Sequence, residues 1–545
     1  MKSLTYILKS FAKGIGIAVL IGMSACEVDR IPETQLSDPA FWKTSGDLQA
    51  AANYLYTFLP NLPYTDDNWS DETYARAPNT ISDGSRLAPA TDGSYNTPYR
   101  IIRAANNIIE KAPRATQNGV SAQVVDRYIA EARFFRAWAY FSLVQRYGDV
   151  PLITKLLQED SPELTAPASK REEVFEVIYQ DLDFAASKLP TPTQLGTAEY
   201  GRISKTAAWA FKSRVALFEG TRSKYHKYGD PKKHLDLALA AAKSVIDSRE
   251  HALFGNYYNM FQMAGEGRQN RENILVRQYG VSIADNVVTH NAARNLENGS
   301  ASPTKSLVDS YLMTDGLPTT KSPLYKAPVA SKDVFTNRDE RLTATIMKTG
   351  DAYIGSQPVF NISPLAFQFT GFCSRKYFNI DDWTNQRSYI DGIIIRYAEV
   401  LLNYAEAKYE LDGAISDADL ELSINPLRTR GKIAKLTNAF VTSNGLNMLD
   451  EIRRERRVEL AVEGFRYWDL IRWKTAEIEL KKPVLGNFFF RAEFGTATTV
   501  KLTPDNFILV QDANFRKFDP AKDYLWPLPI NEISLNPSLK QNPGW

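Results

Sequence analysis

Residues 131–152 read EARFFRAWAYFSLVQRYGDVPL, and this run decides the fold class. Phe134, Phe135, Trp138, Phe141 and Val144 make it apolar almost all round a helical wheel. A helix of that kind is buried between other helices, since each of its faces must be covered. Gly148 stands where the helix, starting near Asp126, should stop, because glycine accepts the left-handed cap at no steric cost.

Helical periodicity extends outward from this run. Upstream, Ile101, Ala105, Ile108, Ile109 and Ala112 fall on one stripe that Pro113 ends. Downstream, Ser169-Lys170-Arg171-Glu172 reads as a capping box opening a helix through Val174, Ile178, Leu182, Ala185 and Leu189 to Pro190. A further helix, about Ala207 to Glu219, mixes Ala207, Ala208, Ala210 and Ala216 with Trp209, Phe211 and Phe218, and another spans about Leu235 to Ser248. Small residues beside large ones let neighbouring helices approach closely, which points to stacked pairs similar to tetratricopeptide repeats, at a spacing longer than the usual period of about 34 residues.

From about His251 to Ser388 the pattern changes to short aromatic segments rich in Gly, Asn and Pro, the kind of irregular connection that carries binding function. Helices are predicted again from Arg396 to Leu411, ended by Gly413, and as one element from about Leu449 to Trp473. The Pro-rich tail after Phe515 should lie as extended coil against the body.

At the N-terminus, Lys2, Lys9 and Lys13 precede the apolar run Gly14 to Met23, too short to span a bilayer, and residues 1–25 read as a secretory signal. Ser24 and Ala25 before Cys26 resemble a bacterial lipobox, with Met23 where that motif usually has Leu, so Cys26 is the expected lipidation site. The only other cysteine is Cys373, so a lipidated Cys26 leaves no disulfide and stability must come from burial. Lys and Arg number 65 against 63 Asp and Glu, a formal net charge of +2 that gives no field suited to nucleic acid. The four histidines, His226, His234, His251 and His290, lack metal-ligand spacing, and no nucleophile elbow or phosphate-binding loop occurs. A non-enzyme without a cofactor is expected, and because sequence does not exclude paired carboxylates, a secreted glycoside hydrolase is the lesser alternative.

Several segments, in order, resemble the SusD-like (RagB/SusD) nutrient-uptake lipoproteins. They are Cys26 to Trp42 with Pro32 and Pro39, the 131–152 run, Gly201-Arg202 leading to Lys205 and Ala207-Ala208, PTKSLVDSYLMTDG (303–316) and NRDERL (337–342). To these are added RYAEVLLNYAEAKYE (396–410), Asn425-Pro426-Leu427-Arg428, DEIRRERRVELAVEGFRYWDLIRW (450–473) and Trp526-Pro527-Leu528-Pro529. The resemblance implies an all-α SusD-like fold with tetratricopeptide-like pairs, long irregular loops and minor short strands. It also implies a lipid anchor in the outer membrane, exposure outside the cell, and a SusC-like TonB-dependent β-barrel transporter as partner. The implied ligand is an oligosaccharide, with a peptide as the alternative. The expected organisation is 26–230 and 231–545 packed as one continuous body.

Glycan binding needs aromatic faces for sugar C–H surfaces, with polar groups converging on the hydroxyls. In the loop-like segment before the Ile101 helix, Trp69, Asp71, Tyr74, Arg86, Tyr95 and Asn96 are candidates, with Tyr95 where the family often has Trp. In the middle region Tyr279, His290, Phe372, Trp383 and Tyr389 are candidates, of which Tyr279 and Trp383 are preferred as ligand-binding. The run Arg453-Arg454-Glu455-Arg456-Arg457-Val458-Glu459 interleaves opposite charges at helical spacing and is read as a structural ionic network.

Overall fold

The computed structural model describes residues 41–280, 289–495 and 500–545, so the signal segment and Cys26 lie outside the described residues. The N-terminal half is built from helices α1 (Ser45–Tyr56), α2 (Gly93–Lys111), α3 (Ala122–Tyr147), α4 (Arg171–Lys188), α5 (Lys205–His226) and α6 (Pro231–Ser248). Ser121 caps α3 by accepting from the Val124 N–H, and Gly148 ends it at φ 77°. Helices α1, α2 and α4 pack around α3, which buries Phe134, Phe135, Tyr140, Leu143 and Val144. Full burial of one such side chain contributes about 1.5–3 kcal/mol.

The small residues of α5 do what their size suggests: Ala207, Ala208, Ala210 and Ala216 are all fully buried. Gly220 lets α6 come in against α5, because a Cβ there would lie 2.7 Å from Leu235 Cγ. The pairs α3/α4 and α5/α6 are the helical hairpins that the sequence predicts. Helix α7 (Tyr397–Asp412), ended by Gly413 at φ 69°, then packs on α6 and α5.

Two local expectations are corrected. The 169–172 run is not a capping box: α4 starts after Lys170 with no side-chain cap, and Asp149 instead accepts from the Arg171 N–H at 2.9 Å. A group distant in sequence has taken over a cap that the local motif seemed to supply. The helix expected over 449–473 is broken into α8 (Met448–Glu459) and α9 (Arg466–Arg472). Between them Val462 (φ 63°) and Gly464 (φ 78°) reverse the chain, and the Gly464 N–H donates to Asp67 Oδ2 at 2.9 Å. A Cβ on Gly464 would sit 3.1 Å from Pro63 Cβ, so the 3-10 turn Pro63–Trp69 needs glycine there.

Three two-stranded antiparallel sheets occur among the described residues: β1 (Thr73–Tyr74) with β3 (Ser302–Pro303), β2 (Asn273–Arg277) with β4 (Gly392–Arg396), and β5 (Val484–Phe488) with β6 (Phe507–Gln511). One apolar core runs from Trp42 to Leu528 and joins both halves, with smaller clusters under the irregular middle region. The tail lies against the body as expected, Trp526 donating its N–H to Arg146 O and its indole N–H to the Tyr467 hydroxyl, apart from a short helix, Ile530–Leu535.

The charged run on α8 forms the expected ionic network. Arg341 donates to Glu455 (2.5 Å) and Glu459 (2.9 Å), Arg428 donates to Glu455 (3.0 Å), and Arg396 donates to Glu459 (2.6 Å), Glu463 and Glu272. Lys376 adds a bond to Glu463, and Arg430 bridges Glu272 and Glu459. Against the effect of burial, Arg430, Arg396 and Arg341 hold the Glu459 carboxyl far below the usual carboxylate range.

Candidate binding surfaces

The first group of sequence candidates folds inward rather than into one platform. Trp69 ends its 3-10 turn half-buried, with ring-edge contacts to Trp526 (5.4 Å), Tyr467 (5.9 Å) and Trp468 (6.2 Å). Arg86 stacks over Trp526 at 3.8 Å and pairs with Asp92 at 2.8 Å. Asp71 is buried: it takes Arg466 Nε at 2.8 Å and Arg457 Nη2 at 3.0 Å, and against burial these cations hold its carboxyl far below the ordinary range. Tyr95 is 3% exposed, packed against Tyr99 and Tyr147, and burial pushes its hydroxyl up to about 12. Asn96 sits half-exposed in the first turn of α2.

Tyr279 and Trp383 are brought into one neighbourhood. Tyr279 is buried, donates its hydroxyl to Asn61 Oδ1 at 3.2 Å, and meets His290 edge-on at 4.9 Å. His290 bridges to Ser388 through the backbone, and two turns of short helix (Ala292–Glu297) carry Arg294 over the Trp383 ring at 3.7 Å. The indole N–H of Trp383 has no hydrogen-bond acceptor.

Beside it lie acids that the sequence does not single out. Asp382 is 2% exposed with neither carboxylate oxygen hydrogen-bonded, and Asp391 Oδ1 is likewise unpartnered. Burial pushes both carboxyls up to about 6. Glu266 accepts from the Asp391 N–H at 2.9 Å, and burial together with the facing Asp391 charge pushes it up to about 9, so it holds a proton at neutral pH. Such a cluster offers acceptors, and one donor, to a hydroxyl-rich ligand.

A wide groove of about 1390 Å³ opens elsewhere, between the 305–338 segment, the start of α8 and the β5/β6 hairpin. The hairpin register sets Phe488 opposite Phe507, ring centroids 5.8 Å apart and edge to face. Both are half-buried, and Tyr325 on the facing loop is 44% exposed. Lys305 Nζ lies 4.6 Å from the Phe507 ring centroid, and Asn337, Asp450 and Asp505 line the same groove. Phe372, one of the sequence candidates, also lines the groove; the others named here are not among them. The short apolar run FILVQ (507–511), rich in β-branched and aromatic residues, is a signal that could mark a strand of the hairpin.

Residues 261–545 match the SusD family, and residues 55–217 match a family described as starch-binding and associating with the outer membrane. The chain belongs to the SusD family. It is 26% identical over 476 residues to a SusD-like protein of Bacteroides ovatus, covering 82% of this chain and 79% of the relative. Its fold matches a SusD-like carbohydrate-binding protein of Bacteroides fragilis at TM-score 0.76 and 25% identity, covering 92% of this chain and 100% of that one. A structure solved with a xylogluco-oligosaccharide matches at TM-score 0.63 and 23% identity, covering 90% and 97%. Among the described residues no helix is long and apolar enough to cross a membrane.

Proposed function

We propose that this chain is an outer-membrane lipoprotein that captures an oligosaccharide outside the cell, without chemical change, and passes it to a SusC-like TonB-dependent β-barrel transporter. The observation that carries the reading is the groove with Tyr325, Phe488 and Phe507 around it and, between them, uncharged polar groups with acidic and basic side chains that balance one another. Rings meet sugar C–H faces and short polar side chains take hydroxyls, a pairing that suits a neutral glycan. The carbohydrate-binding relative and the xylogluco-oligosaccharide complex support the ligand class. The Trp383 neighbourhood, with its unpaired acceptors, is a second surface of the same chemistry. Lipidation of Cys26 would supply the tether, which leaves the folded body free to work outside the cell.

The test is calorimetry of the mature chain against a panel of neutral oligosaccharides. Tyr325→Ala and Phe507→Ala should each weaken binding by about 1–2 kcal/mol, roughly tenfold, with little change in melting temperature. Trp383→Ala run beside them asks which surface holds the cargo. Binding to a peptide pool but to no glycan would overturn the ligand class, and release of reducing ends would overturn the non-catalytic reading.

A further inference from the structure

A second pocket, of about 420 Å³, lies where the C-terminal end of α3 and the first turn of α4 meet α5 and the tail near Leu525 and Asn542. Its ionisable side chains sit beside partners, with one that is poorly met. Lys170 Nζ sits 2.9 Å from Asp149, Arg171 clamps Glu219 through Nε and Nη2, and Glu172 Oε2 lies 3.3 Å from His234 Nε2. Arg222 is the one poorly met. Its side chain lines the pocket, the residue is 5% exposed, and Nε and Nη1 have no acceptor; Nη2 reaches only Tyr524 O, at 3.5 Å.

Buried arginines elsewhere among the described residues fall into two groups: Arg338 and Arg516 donate to carbonyl, amide and hydroxyl oxygens, and others meet carboxylates. Arg341, Arg396, Arg428 and Arg472 each place their donors on carboxylates. A guanidinium presents two parallel N–H groups that fit an oxyanion bidentately, and burying it without one leaves strong donors unmet. Burial and the adjacent Arg171 cation push the Arg222 pKa down, and the nearby Tyr228 hydroxyl and Glu219 carboxylate offset this only in part.

We propose that Arg222 is the anchor of a small-oxyanion site, which takes a carboxylate such as that of a sugar acid, or an inorganic oxyanion. Lys170, 77% exposed at the mouth, adds attraction without being needed for the fork. The site is separate from the groove, so it stands or falls independently of the glycan reading.

Calorimetry on the mature chain with D-glucuronate, sodium sulfate and D-glucose tests it. Glucuronate or sulfate should bind and glucose should not; glucuronate alone identifies a carboxylate ligand, sulfate alone an inorganic one. Arg222→Met should weaken anion binding at least tenfold. If that variant fails to fold, Leu525→Phe, which narrows the pocket without touching Arg222, should give the same loss. Equal binding of glucose and both anions, or unchanged anion binding in the folded variants, would overturn the site.

Discussion

Glu459 and Asp382 are both buried acids, 0% and 2% exposed, yet their surroundings differ in kind. Glu459 is ringed by Arg341, Arg396 and Arg430, and each of those arginines also serves a second acid. At Asp382, Asp391 and Glu266 burial is the largest influence, and the described side chains that bear on them are hydroxyls and other acids, Ser388 at Asp382 and Tyr200 at Asp391. In the first region the cations hold Glu459 and Glu463 below the usual carboxylate range, and the acids tie α8 to segments far away in the chain. In the second, burial favours the neutral acid, and the hydrogen-bonding capacity of the carboxyls is left for something else. Buried carboxyls of the same residue types thus become struts or recognition groups according to whether a cation reaches them.

The comparison can be broken most severely at the network. Glu459→Ala leaves Arg396 and Arg430 short of a partner, and it should cost about 3–5 kcal/mol in chemical denaturation. A loss under about 1 kcal/mol would mean that the arginines are not dependent on it.

Glu266→Gln is the counterpart in the other region. Its folded-state pKa lies above the ordinary carboxylate value, so its contribution to stability is present at low pH and is lost as pH rises toward 9. The glutamine cannot ionise, and the variant should therefore be more stable than the parent at pH 9, by about 1–3 kcal/mol, and no more stable at pH 4. Thermal melts at the two pH values decide it; a variant less stable at pH 9 would place a cation in the cluster. Asp382→Asn sharpens the contrast further, since no partner is stranded: less than about 1 kcal/mol is expected, against several for the network.

The smallest effect is a shared background. Burial pushes His226, His251 and His290 down to about 4, so each is neutral in the folded chain at neutral pH. Their contribution is present above the ordinary histidine pKa and is lost as pH falls from about 6.5 through 4. His290→Asn should flatten that decline slightly in a stability-against-pH series, and an unchanged slope would show that His290 binds its proton equally well in the folded and unfolded chain.

Much of this architecture was legible in the sequence, because a buried helix writes its burial at every turn. The apolar run in α3, the alanines of α5 and the interleaved charges of α8 each state which faces are covered. Asp71, in the first candidate group, shows the opposite case. Asp71 sits in loop-like sequence that resembles an exposed binding segment, but its partners Arg457 and Arg466 arrive from 386 and 395 residues away. Of the groove only Phe372 was singled out, because Phe488, Phe507 and Tyr325 come from separate short segments, none long enough to show a period.

From the chain of residues alone follow the helical class, the order of the helical pairs, the family, and the ionic role of α8, since each rests on patterns repeated over one or two turns. The break between α8 and α9, the fate of Asp71 and Tyr95, the unpaired acids beside Trp383, the groove and the lone Arg222 were decided by tertiary structure. A hydrogen bond or ion pair forms between whichever groups are brought within about 3 Å, and that distance is set by the packing of the whole body rather than by neighbours in sequence.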